Sequence, residues 1–91
     1  MNDEIDPLEM DVLNCLYFVE PFETILEETG LSPAIAGDVL KILISKKWVT
    51  PMKFDETEQE YIRSFIYDTD HMNDYRYMAT KEGLMRHNGV E

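Results

Sequence analysis

The sequence predicts an α+β domain in which three helices precede an antiparallel β-ribbon and a short helix closes the chain. Three observations predict it. Residues 7–19 and 33–46 repeat apolar side chains at helical spacing, each stretch opening on a proline suited to a helix start. From Trp48 the residue types change to those of strands, and residues 75–79 repeat that character. Between these two lies an acid-rich stretch, residues 55–60, of the kind that ends a solvated hairpin. At 91 residues the chain has the size of one folding unit, so residues 1–91 are read as a single domain.

Asp6 and Pro7 form the first start signal. A carboxylate can cap free N–H groups, and proline's fixed φ and missing N–H cost nothing in a first turn. Leu8, Val12, Leu16 and Val19 follow at helical spacing with Cys15 and Phe18 beside them, so a first helix is expected over residues 7–19. Glu20-Pro21 ends it, because the residue before a proline is driven out of the helical region. A second helix is expected over residues 21–29, with Phe22, Ile25 and Leu26 as its apolar stripe and Gly30 as its stop. The third starts at Ser32-Pro33, an N-cap followed by a proline. Ile35, Val39, Ile42 and Leu43 share one face of it, widened by Ala36, Leu40 and Ile44, so the helix is held on two sides. Ala34, Gly37, Asp38, Lys41 and Ser45 remain as a narrow outward strip.

Trp48-Val49-Thr50 begins a strand, and Pro51 marks an edge strand or a strand end. Residues 55–60 are charged enough to be either a solvated loop or a helix start. Residues 61–67 read two ways. Tyr61, Arg63, Phe65 and Tyr67 alternate with Ile62, Ser64 and Ile66 as in a strand, yet Thr57 and Glu60 have capping-box spacing and Ile62, Phe65 and Ile66 suit a helix. The β-branched and aromatic content favours the extended form. Residues 68–74 are expected as loop and residues 75–79 as a returning strand. Thr80 then caps a short final helix with Glu82 in its first turn.

Nineteen acidic residues against eight basic ones give a formal net charge of −11, which counts against a general nucleic-acid binder. The imbalance is uneven. Residues 1–30 hold nine acids and no base, whereas residues 31–53 set Lys41, Lys46, Lys47 and Lys53 against Asp38 alone. That allows one positive face on an acidic body, although lysines on a helix end and a strand are more often simply solvated. One cysteine excludes an internal disulfide and fits a reducing compartment. The first residues are acidic where a signal peptide would be basic, and no apolar run nears the ~18 residues of a membrane span. A cytoplasmic protein without membrane association is expected.

Leu31-Ser32, Val39-Leu40, Leu43 and Lys46-Lys47-Trp48-Val49 resemble the recognition helix and first wing strand of winged helix-turn-helix proteins, especially MarR-like and related bacterial transcriptional regulators. In that pattern a glycine often stands where Lys47 or Trp48 does. Tyr77-x-Ala79-Thr80-x-x-Gly83-Leu84 is similar to the Tyr-x-Leu-Thr-x-x-Gly stretch that closes the wing and opens the last helix. The resemblance covers most of residues 8–86. It implies a winged helix whose third helix enters the DNA major groove while the wing touches backbone or minor groove. It also implies a homodimer, for which the first helix offers Ile5, Leu8, Val12, Leu16 and Tyr17.

The residues that would touch double-stranded DNA are then Ala34, Gly37, Asp38, Lys41 and Ser45 on the outward strip, with Lys46, Lys47 and Lys53 toward phosphates. Arg63 and Arg76 would add to these if they converge. Base readout prefers Arg, Lys, Asn and Gln, of which the strip holds one lysine, and the expected wing tip at residues 55–60 carries four acids and no base. The fold signal is intact and the DNA-contact signal is degraded. Two readings follow: a DNA-binding transcriptional regulator, which the resemblance favours, and a winged-helix module that binds a basic protein partner, which the charge favours.

Enzymatic chemistry finds few residues. Cys15 lies on the apolar side of the first helix with no histidine near it in sequence, the pattern of an inert buried thiol. Asp68-x-Asp70-His71-x-Asn73-Asp74 opens like a calcium loop, but Met72 replaces a ligand, no glycine follows and no glutamate stands at the twelfth position. His87 reads as a solvated side chain near the chain end. Glycine-rich phosphate loops, His-x-x-x-His and Cys-x-x-Cys pairs do not occur, so no enzyme, metal or cofactor is expected. Tyr61, Phe65, Tyr67, Tyr75 and Tyr77 are read as sheet packing rather than a base-stacking platform, because basic residues are not interleaved among them.

Overall fold

The computed structural model describes residues 5–64 and 71–87. In chain order the elements are α1 (Pro7–Asn14), β1 (Glu20–Pro21), α2 (Phe22–Thr29), α3 (Pro33–Ser45), β2 (Val49–Asp55), β3 (Glu60–Arg63), a 3-10 turn (Met72–Asp74), β4 (Arg76–Ala79) and α4 (Lys81–His87). The four strands form one antiparallel sheet in the order β1-β4-β2-β3. This is an α+β domain, as expected.

α1 opens with a reciprocal cap. The Glu9 N–H donates to Asp6 Oδ1 at 2.9 Å and the Asp6 N–H donates to Glu9 Oε1 at 3.1 Å, so two otherwise orphaned donors are satisfied. The helix stops at Asn14 and not at residue 19. Cys15 and Leu16 close it with tight bonds to Val12 and Leu13, and the Leu16 carbonyl then accepts the N–H of Ala79. Competition from the sheet ends the helix, since Glu20 and Pro21 pair with Tyr77 and Arg76 to form β1. The dipeptide expected to break a helix is instead an edge strand, where a proline removes little from the ladder.

α2 ends as expected at Gly30, whose φ of 73° lets its N–H reach the Leu26 carbonyl at 2.9 Å. Ser32 caps α3 by accepting the Ile35 N–H at 3.3 Å. At the other end Lys47 has φ 66°, with its N–H bonded to Ile44 O and that of Trp48 bonded to Leu43 O, both at 3.0 Å. This six-to-one closure puts Lys47 in the left-handed position that normally belongs to glycine, one of the two positions where the resemblance marks a glycine as missing.

Pro51 lies inside β2, which is an interior strand and not an edge. Its carbonyl accepts the Ser64 N–H at 2.9 Å, so its missing N–H faces β3, just past the last paired residues Met52 and Arg63. Residues 60–63 are extended. The Thr57–Glu60 capping box does not form because Asp55 Oδ1 takes the N–H groups of Thr57 and Glu58, and Gln59 turns the chain with φ 57°. Phe65, Ile66, Tyr67, Asp68 and Asp70 lie outside the described residues. Where loop was expected, residues 72–74 make one 3-10 turn, held by the Tyr77 hydroxyl donating to the Met72 carbonyl at 2.5 Å.

Thr80 caps α4 by accepting the Gly83 N–H at 3.1 Å, while its own hydroxyl donates to the Lys47 carbonyl at 2.8 Å. Gly83 sits against the Trp48 carbonyl so closely that a Cβ would collide with it. The core joins α1, α2, α3 and β4 through Val12, Leu13, Leu16, Ile25, Leu40, Leu43 and Tyr77, none of which retains accessible surface. Each such aliphatic side chain contributes roughly 1.5–3 kcal/mol of burial. Among the described residues no helix is long and apolar enough to cross a membrane.

Candidate docking surface around the third helix

α3 buries Ala36, Gly37, Val39, Leu40 and Leu43 and turns Ala34, Asp38 and Ser45 to solvent, with Lys41 half-buried. The outward strip is therefore as expected except at Gly37. Ile35 and Ile42, expected on the packed face, are 46% and 47% exposed. They stand seven residues apart, two turns along one side of the helix. The signal was available: a stripe wider than half the circumference holds more apolar surface than one small domain covers.

Four of the eight expected contact residues meet in one groove. Ala34, Gly37, Asp38 and Lys41 face Phe22, Glu23 and Leu26 of α2 across about 570 Å³, with Met72 and Asn73 also lining it. Phe22 and Met72 are buried, so the floor is apolar, and the acids Glu23 and Asp38 line it. Lys41 Nζ lies 3.9 Å from Asp38 Oδ1, a solvent-accessible pair one helical turn apart that offsets the charge of each and adds little stability. A Cβ on Gly37 would meet nothing within 4 Å, so this glycine leaves room in the groove rather than relieving a clash.

The other candidates lie elsewhere. Lys46 is turned inward: its Nζ bonds both carboxylate oxygens of the buried Glu9 and sits 4.6 Å from the centre of the Trp48 ring. The Ser45 hydroxyl donates to the Ile42 carbonyl at 2.8 Å. Lys47 lines a separate cleft on the β2 side, and Lys53 is exposed on β2 beside the hairpin end. Glu56, Glu58 and Glu60 are exposed at that end, so its surface is acidic. Phe54 and Tyr61 pair across β2 and β3 with ring centres 5.2 Å apart, and Arg76 covers Tyr61 at 4.9 Å. Of the aromatics read as sheet packing, Tyr77 is wholly buried and Tyr61 and Tyr75 are half-buried, whereas Phe54 stays 42% exposed.

Of the residues offered for dimerisation, Val12 and Leu16 have no accessible surface and belong to the protomer's own core. Leu8 and Tyr17 remain 40% and 44% exposed. Tyr17 Oη lies 2.8 Å from His87 Nδ1, with the two rings edge to face, so His87 is engaged and not merely solvated. Cys15 is buried; burial pushes its thiol up to about 11, reinforced by the carboxylates of Glu28, Asp11 and Glu20. Compared with family models, with curated proteins and with solved structures, the chain finds no match in any of the three.

Proposed function

We propose that the chain is a winged-helix domain that docks a protein partner in the groove between α2 and α3. The winged-helix reading is supported by the order α1-β1-α2-α3-β2, by the short α2–α3 connection, and by β4 returning between β1 and β2. The observation that carries the docking reading is the groove itself, an apolar floor lined by Glu23 and Asp38 beside the exposed Ile35 and Ile42 flank of the same helix. A partner segment with an apolar anchor flanked by Lys or Arg complements it in shape and charge. DNA readout is less well served. α3 opposes its one outward lysine with Asp38, Lys46 is held by Glu9, and the hairpin end is acidic.

Selection of peptides from a random library against the full chain tests this. The expected peptides carry an apolar residue with Lys or Arg nearby, and Glu23→Arg with Asp38→Arg weakens them at least tenfold at unchanged melting temperature. Peptides without basic residues, or binding that survives both substitutions, would refute the docking reading.

The second reading is a DNA-binding regulator acting as a homodimer. One observation favours it: Lys47, Arg63 and Lys81 line a common cleft, with Lys53 exposed further along β2. In that case the dimer uses what α1 and the residues after it leave uncovered, Leu8 and Tyr17, and not Val12 or Leu16.

A further inference from the structure

We propose that the cleft between the end of α3, β2 and the start of α4 binds a small organic phosphate. The cleft is open to solvent and spans about 590 Å³, within the size range of small-molecule sites. Three cations from distant parts of the chain line it, Lys47 after α3, Arg63 at the end of β3 and Lys81 opening α4, with Glu82 as the one acid among the described lining residues. In a chain of net charge −11 that convergence is unusual. The described ion pairs are Lys41–Asp38 and Lys46–Glu9, so none of the three is neutralised by a described carboxylate.

The rest of the lining fits the other half of such a ligand. Val49, Pro51 and Ile44 supply apolar wall, and Thr50 adds a hydroxyl that makes a long 3.5 Å contact to the Pro51 carbonyl. The backbone at Lys47 bears on the same point. It holds a left-handed φ of 66° that glycine would adopt without steric cost, and this strained position puts a cation on the cleft. A compact dianion gains from the three local charges, whereas a polyanion also meets the repulsion of the acidic body and of Glu56, Glu58 and Glu60 at the hairpin end. This site is separate from the α2–α3 groove and does not depend on the docking reading.

The test is a titration of the ¹⁵N-labelled full chain with phenyl phosphate, and in parallel with inorganic phosphate, at constant ionic strength. Saturable shifts are expected at the Lys47, Val49, Thr80 and Lys81 amides, with phenyl phosphate the tighter of the two. Arg63→Gln with Lys81→Gln should weaken it at least tenfold. Lys47→Gly should weaken it too while raising the melting temperature, a combination that general damage to the fold cannot produce. Glu23→Arg, on the other groove, should leave it unchanged. Shifts that stay linear, that spread equally to Lys41 and Lys53, or that survive the double substitution would overturn the site. Displacement of phenyl phosphate from these amides by a random DNA duplex would overturn it as well, by assigning the cleft to a nucleic-acid backbone.

Discussion

Lys46 Nζ lies 2.8 Å and 3.1 Å from the two carboxylate oxygens of Glu9, tying the end of α3 to the first turn of α1. Glu9 also accepts the Asp6 N–H, so one buried carboxylate serves both the cap of α1 and the packing of α3 on it. Removing the cation leaves that carboxylate buried with a single donor. Lys46→Met is expected to cost about 2–3 kcal/mol, less than a fully buried pair because the lysine keeps some solvent contact. Lys46→Glu should prevent folding by setting two carboxylates together. Urea unfolding measures the first, and circular dichroism the second.

Gly83 has a steric role that no other residue type can take. With the Trp48 carbonyl where its Cβ would be, Gly83→Ala must push α4 away from the sheet. A loss of about 1–3 kcal/mol is expected, the range of overpacked sites. Gly37→Ala is the control: nothing lies within 4 Å of its Cβ, so the helix should gain about 0.5–1 kcal/mol while the groove narrows. Thermal melting of the two variants should move in opposite directions.

Lys47→Gly should stabilise the domain by up to about 1 kcal/mol, because lysine is strained in the left-handed position and glycine is not, less the greater entropy glycine has when unfolded. A loss of stability would mean that the Lys47 side chain contributes more to packing than its exposure indicates.

Cys15 should resist alkylation. The thiolate is the reactive form, and a thiol raised from 9.0 to about 11 carries about a hundredfold less of it below pH 9. The sign of the stability effect follows from the same shift. The unfolded chain loses this proton first, so stability is flat below about pH 9 in this respect and declines as pH rises from about 9 toward 11. Iodoacetamide labelling at pH 8, native against urea-unfolded, checks the reactivity directly.

Local signals made much of the fold legible. Ser32-Pro33, Gly30 and Thr80 each marked a boundary that the structure keeps, because capping and left-handed stops depend on a few neighbouring residues. The misreadings share one cause. Leu16 is buried whether it lies on a helix or leads into a strand, so periodicity ran α1 on to residue 19 when the Ala79 N–H takes its chain into the sheet. Pro51 looked like an edge because the sequence does not show that β3 stops pairing at Met52. The candidate site was half legible. Ala34, Gly37, Asp38 and Lys41 were grouped by helical angle and do share a groove, but its other wall comes from α2 and Met72. Lys46 looked like a surface cation because its partner Glu9 is 37 residues away.

Fluorescence anisotropy of a labelled random-sequence duplex, across a salt series, decides between the protein partner proposed for the chain and DNA. No binding is expected even at the lowest salt. Binding that weakens steeply as salt rises would reveal phosphate contacts and return the chain to the DNA-binding reading.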